Sequence, residues 1–199
     1  MSNFLAVDTS SRYLTVIAVK GDKVALRHLD DCAMKHSCVL MDEIDKAFSQ
    51  ADLTPAECDF FCAVTGPGSF TGIRIGVSAV KGFAVGTGKP MLSLTSFDLI
   101  AYNIKDEKFY TVIDAGRGKY YVCGYGGGGV ILPPSYMDGE EIASLRAPLY
   151  GFEDLPLAGY QKRDITGSFY PAVYARRNEV SDDICALYVR KSQAEENAK

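Results

Sequence analysis

Histidine is scarce in this chain, with 2 in 199 residues, and its scarcity removes the commonest transition-metal ligand from almost the whole sequence. A helical metal site asks for a second histidine one turn on. His36 opens an amphipathic stretch, but Leu40 stands at that position, and His28 falls in a different element, a strand. No two-histidine metal site can be read. The six cysteines (Cys32, Cys38, Cys58, Cys62, Cys123, Cys185) form no C-x-x-C pair and no zinc spacing, so they read as small buried hydrophobes. A basic surplus is also missing. With 21 Lys+Arg against 25 Asp+Glu the formal net charge is -4, which argues against autonomous binding to nucleic-acid phosphates. Any contact with RNA is then expected through a partner. No apolar run approaches the roughly 20 residues of a membrane span, and the first residues lack the basic and apolar regions of a signal peptide. No membrane association is expected, and the expected location is cytoplasmic. Arg74 and the Arg176-Arg177 pair read as solvated surface charges.

What is present is globular. Hydrophobic residues make up 47 % of the chain, enough for one large or two small domains with real cores. The most informative stretch runs from Gly66 to Gly76, Gly-Pro-Gly-Ser-Phe-Thr-Gly-Ile-Arg-Ile-Gly. It follows the apolar strand Phe60–Val64 and leads into a helix that Ser69 can cap, with Ile73, Val77, Val80 and Ala84 at helical spacing. Gly72, Gly76 and Gly82 lie inside that helix, each at a cost of about 1 kcal/mol relative to alanine. Such a helix needs close backbone approach to something, either phosphate or another helix. The loop lacks the spacing and the lysine of a P-loop, and Gly66, Gly68 and Gly72 are one residue too long for the dinucleotide fingerprint. Tight turning and close helix packing are the better reading.

The chain also repeats itself. Phe4–Asp8 is a strand ending in an acid, followed by a polar turn, a strand Leu14–Val19, a Gly21-Asp22 hairpin and a strand Val24–Leu29. Tyr110–Asp114, Tyr120–Tyr125, the Gly126–Gly129 hairpin and Val130–Leu132 follow the same order. The units align without a gap: Asp8 on Asp114, Val16 on Val122, Gly21 on Gly127, Val24 on Val130. After the first unit come the His36 helix, the Phe60 strand, the glycine-rich helix, a strand near Met91–Leu94 and a Ser96-capped helix. After the second, only a short helix near Asp138–Leu145 is expected. A duplicated β-β-β-α-β-α plan with two lobes, the second truncated, is the α/β layout of the actin-like (ASKHA) folds. The expected lobes are residues 1–103 and 104–199, with a C-terminal element that can pack back on the first lobe. Asp114-Ala115-Gly116-Arg117-Gly118 resembles the phosphate turn of such ATPases. Asp8, Asp114, Gly116 and Gly118 are therefore the candidates for nucleotide contact in an alternative reading, a small actin-like ATPase or phosphotransferase. The two acids could equally satisfy turn amides.

Leu5–Ser10, His36-Ser37, the Gly66–Gly76 segment, Ile113-Asp114-Ala115 with Arg117 and Tyr121, and the closing Tyr188-Val189-Arg190 with Gln193-Ala194-Glu195 resemble the TsaB (YeaZ) family. Two positions depart from it: Gly116 stands where a second basic residue is usual, and Ala186 where a proline often precedes the closing motif. The resemblance implies an actin-like fold without catalytic residues, metal or cofactor of its own. It implies a subunit that binds and activates the catalytic chain TsaD, together with the ATPase TsaE, in making threonylcarbamoyl-adenosine on tRNA. The tRNA would be met only through the complex, a nucleotide could sit at the partner interface, and a homodimer would form when TsaD is absent. The implied interface is the first-lobe helix pair, with His36, Leu40, Ile44 and Phe48 on one helix and Gly68, Ser69, Phe70, Thr71, Gly72, Arg74 and Gly76 at the other.

Overall fold

In a computed structural model, residues 2–190 are described. Two five-stranded sheets carry the fold. The first is built from β1 (Phe4–Asp8), β2 (Leu14–Lys20), β3 (Lys23–Leu29), β4 (Phe60–Val64) and β5 (Met91–Leu94), in the order β3-β2-β1-β4-β5. The second contains β6 (Lys108–Gly116), β7 (Lys119–Gly126), β8 (Gly129–Asp138), β9 (Leu149–Gly151) and β10 (Tyr160–Lys162). Its order is β8-β7-β6-β9-β10, the same topology over again. In each sheet the first three strands are antiparallel and the last two join in parallel.

β1 is buried along its whole length because both faces of its sheet are covered. Leu5 and Val7 point to one side, where α1 (His36–Ala51) and α2 (Phe70–Thr87) add Leu40, Ile44, Phe48, Ile73, Val77 and Val80. Phe4 and Ala6 point to the other side, toward Leu99 of α3 (Ser96–Ala101) and Ile165, Phe169 and Val173 of α5 (Ile165–Ala175). α5 thus comes from the second half of the chain and covers the sheet of the first. α3 is shared too, since Phe97 and Ile100 pack with Phe109, Ile113 and Tyr150 of the second sheet. The outer side of that sheet is covered by α4 (Gly139–Ala143) through Ile142, and by Leu155 and Leu157 from a loop.

Three expectations change in detail. Thr95, not Ser96, caps α3: its side chain accepts from the Asp98 N–H while Asp98 returns a bond to the Thr95 N–H. The third strand of the second unit does not stop at Leu132 but runs to Asp138 through Pro133 and Pro134. It can do so because β8 is an edge strand whose pairing with β7 is irregular between Leu132 and Ser135, so neither proline stands in the paired register. The gapless alignment holds at the second hairpin of each unit, where Val19 faces Val24 and Tyr125 faces Val130. It fails at the first, where Val7 faces Val16 but Ile113 faces Tyr121 rather than Val122. Irregular pairing beside Asp114 and around Gly124 absorbs the difference. Residues 193–195 of the closing motif lie outside the described residues.

Candidate interaction face and inter-lobe cleft

The glycine-rich segment is clamped onto the turn between β1 and β2. Asp8 Oδ1 accepts the Ser10 N–H at 2.8 Å, which shapes that turn. The Ser69 N–H donates to the Ser10 carbonyl at 2.6 Å, and Thr9 Oγ1 donates to the Gly72 carbonyl at 2.7 Å. Ser96 Oγ donates to Ser10 Oγ at 3.2 Å. A β-carbon on Gly68 would collide with the Ser10 carbonyl, one on Gly72 with the Thr9 carbonyl, and one on Gly76 with Thr9 Oγ1. These three glycines exist for close approach to the chain's own strand turn.

This corrects half of the expected interface. Gly72 and Gly76 face inward, and His36, Leu40, Ile44 and Phe48 are buried in the first-lobe core. His36 bonds through Nε2 to the Tyr13 carbonyl at 3.0 Å, which fixes the start of α1. Gly68 and Phe70 are half-buried, while Ser69, Thr71 and Arg74 are exposed. Arg74 is not a free surface charge. Its guanidinium lies 3.8 Å from the Phe70 ring centroid, and its Nε donates to the Tyr188 hydroxyl at 3.1 Å. Arg176 pairs with Asp98 at 2.7 Å, and Arg177 stacks on Tyr174.

The outward face of α2 is made by other residues. Ser78, Gly82 and Gly86 lie one turn apart and are exposed, and nothing lies within 4 Å of a β-carbon built on Gly82 or Gly86. Val85 beside them is 84 % exposed, and Met41 on α1 is 49 % exposed. Sequence reasoning missed Gly86 and Val85 and did not separate Gly82 from the inward glycines. The signal was available: with Ile73, Val77, Val80 and Ala84 facing the core, helical periodicity turns 78, 82, 85 and 86 outward.

Between the lobes lies a cleft of about 770 Å³. Ser10, Ser11 and Arg12 line it from the first lobe, Asp114, Tyr121 and Glu153 from the second, and Leu187–Arg190 cross its rim. Asp114 Oδ1 accepts the Gly116 N–H at 2.8 Å, so it repeats what Asp8 does for Ser10. Gly116, Arg117 and Gly118 all have positive φ, which the tight turn into β7 requires. Asp8 itself is sealed off and borders a smaller cavity of about 20 Å³ that Glu153 also reaches. Burial pushes the Asp8 carboxyl up, against the Ser10 hydrogen bonds. Burial and then the charge of Asp114 push Glu153 up as well. No group of three or more His, Cys, Asp or Glu among the described residues could hold a metal ion. Burial of the cysteines fits the structural reading for Cys32, Cys58, Cys62 and Cys123, with the Cys58 thiol pushed up to about 12, while Cys38 and Cys185 are exposed. No helix among the described residues is long and apolar enough to cross a membrane.

A doubled mixed sheet with helices between the halves, and with an acid-ended strand turn from each half beside one cleft, defines a two-lobed actin-like protein. The family profile for TsaD, tRNA N6-adenosine threonylcarbamoyltransferase, matches residues 30–148. The tRNA threonylcarbamoyladenosine biosynthesis protein TsaB of Bacillus subtilis is 29 % identical over 119 residues, 59 % of this chain and 52 % of the relative. TsaB of Escherichia coli is 26 % identical over 125 residues, 61 % of this chain and 54 % of the relative. The chain spans about half the length of the curated relatives it matches. The structure of YeaZ from Pseudomonas aeruginosa superposes with a TM-score of 0.75 at 20 % identity, covering 94 % of this chain and 100 % of that one. The chain belongs to this family, on its TsaB (YeaZ) branch.

Proposed function

We propose that this chain serves tRNA threonylcarbamoyl-adenosine formation as a noncatalytic subunit, docking a TsaD-type catalytic chain on the outer face of α2 and α1. The observation that carries the reading is the exposed stripe Ser78, Gly82 and Gly86 with Val85 beside it. Small residues one turn apart let a partner helix approach closely, and an exposed valine and methionine supply apolar area to bury. The strand-end acids support the same reading. Asp8 and Asp114 each spend an oxygen on a turn amide, a structural task that needs no chemistry. TsaE, a tRNA reached only through the complex, and a homodimer using the same face complete the proposal. A nucleotide at the partner interface and a cytoplasmic location belong to it as well.

The test is threonylcarbamoylation of tRNA by the same organism's TsaD, TsaE and threonylcarbamoyl-adenylate synthase, with and without this chain. Modification should depend on the chain and survive Asp8→Asn and Asp114→Asn together. It should fall with Val85→Arg while that variant stays folded. Full modification in the chain's absence would sink the proposal.

A further inference from the structure

α2 runs between two flanks. On one, its Phe83 ring meets Phe48 of α1 at a centroid distance of 5.8 Å. On the other lies the segment 181–188, which runs beside the helix in the opposite direction, from beyond its C-terminal end to its first turn. Met91 and Ser181 exchange backbone bonds of 2.8 and 2.7 Å, and Asp183 reaches Lys81 at 2.6 Å. Ile184 turns into the first-lobe core, the Leu187 N–H donates to the Thr65 carbonyl at 2.7 Å, and the Tyr188 hydroxyl accepts from Arg74. The segment is a strap fastened along the helix.

Arg74 and Lys81 are the only charged residues of α2, and both turn to the strap. The ridge between the flanks is therefore uncharged, and it is low, because Gly82 and Gly86 carry no side chain. Met41 is exposed on the α1 side of it, and Cys185 and Tyr188 on the strap side. A helix seated on such a ridge lies no further than about 8–10 Å away, axis to axis. With a diameter of about 10–12 Å, its side chains then reach both flanks.

The charges say which partner fits. Cys38, Met41, Asp42 and Asp45 share the exposed side of α1 at three- and four-residue spacing. The ion pairs of α1 use Glu43 with Arg27 and Lys46, which leaves Asp42 and Asp45 unpaired among the described residues. The cations of the helix pair are engaged: Lys46 by Glu43, Lys81 by Asp183, and Arg74 by Phe70 and Tyr188. Lys35 and Lys89 stand beyond the helix ends. A second copy offering the same face would bring two more free carboxylates and no free cation from its helices.

We propose that the docking face has three elements, α1, α2 and the strap, and that it selects a partner helix with an apolar ridge and Lys or Arg opposite Asp42 and Asp45 over a second copy of this chain. This rests on the proposed function, which supplies the partner but gives the strap no part and does not rank partner against copy.

Two exposed thiols test the strap, since Cys38 and Cys185 sit on opposite flanks while Cys32, Cys58, Cys62 and Cys123 are buried. The full chain is treated with N-ethylmaleimide, with and without the same organism's TsaD-type chain, and labelling of each cysteine is followed by peptide mass spectrometry. Both exposed thiols should react about tenfold more slowly in the complex, as groups inside an interface lose access to solvent. Slowing at Cys38 alone would overturn the part of the strap and leave docking on the helix pair standing. Slowing at Cys185 alone would remove α1 and overturn the three-element face. Slowing at neither would overturn the inference together with the proposed docking face. Sedimentation of the chain, alone and with the partner, tests the charges. Asp42→Lys combined with Asp45→Lys should weaken partner association about tenfold or more and tighten self-association. If that variant fails to fold, Asp42→Asn with Asp45→Asn should act in the same direction to a smaller extent. Unchanged partner affinity in the charge variants, or self-association of the native chain as tight as its partner binding, would overturn the selection.

Discussion

The two lobes share one strand order and differ in what covers it. In the first, the connection from β3 to β4 carries a helix of 16 residues and that from β4 to β5 one of 18. In the second, the matching connections carry a helix of 5 residues and a loop over 152–159 with no helix. A sheet without large helices on one face must find cover elsewhere, and here Ile142, Leu155 and Leu157 provide it. The first lobe alone therefore offers a long paired-helix surface. The second lobe lends α5 to the first sheet, so the smaller half contributes to the core of the larger. Duplication thus preserved the sheet in both halves while the helices diverged, and surface roles follow the helices.

The largest effect should come from breaking the sharing between lobes. Phe169 is fully buried on α5 against the first sheet, and Phe169→Ala should cost about 3–5 kcal/mol, as large core truncations do. Chemical unfolding followed by far- and near-UV circular dichroism should still show one transition at lower denaturant. Two separated transitions in the native chain would mean that the lobes are energetically independent.

The two sides of α2 can be compared by one substitution made twice. Gly72→Ala drives a methyl into the Thr9 carbonyl and should destabilise the monomer by about 1–3 kcal/mol. Gly82→Ala meets nothing and should stabilise the monomer by up to about 1 kcal/mol through helix propensity. The same Gly82→Ala should weaken association with the catalytic partner, read by sedimentation of the mixture. Equal stability effects at the two positions would break the distinction between an inward and an outward glycine set.

The smallest effect concerns pH. Burial raises the Asp8 carboxyl, so the folded state holds that proton more tightly than the unfolded chain does. Its stabilising contribution is full below the ordinary carboxylate pKa, about 4, and is lost as pH rises through the folded value. Asp8→Asn keeps an acceptor for the Ser10 N–H but removes the charge. Its melting temperature should fall less than that of the native chain as pH rises from the ordinary carboxylate range toward neutrality. Parallel curves for the two proteins would remove Asp8 from the account. Glu153→Gln should act in the same direction, since burial raises that group too.

Much of this was legible along the chain because the signals are local. Alternation and continuous apolar runs marked the strands, Gly21 and Gly127 marked matching hairpins, and the Ile73–Ala84 spacing marked α2. The match between the two units was readable from the order of these signals, although bulges near Asp114 and Gly124 shifted one register by a residue. The reach of β8 through two prolines was not readable, since its place at the sheet edge and the irregular pairing between Leu132 and Ser135 together permit it. Nor was the pairing of Arg74 with Tyr188, which are distant in sequence and meet only where the C-terminal segment crosses the cleft.

The glycines of α2 show where the division falls. The order of residues is enough to show that this helix tolerates glycine at unusual cost and so needs close approach to something, because propensity is a property of the residue and its element. It also determined the inward stripe, because periodicity follows from helix geometry. That Gly68, Gly72 and Gly76 meet Thr9 and Ser10 while Gly82 and Gly86 meet open space follows from the folded chain. The β1–β2 turn that they approach is more than fifty residues away along the chain, and no local rule brings it there. Parallel pairing of β1 with β4 does.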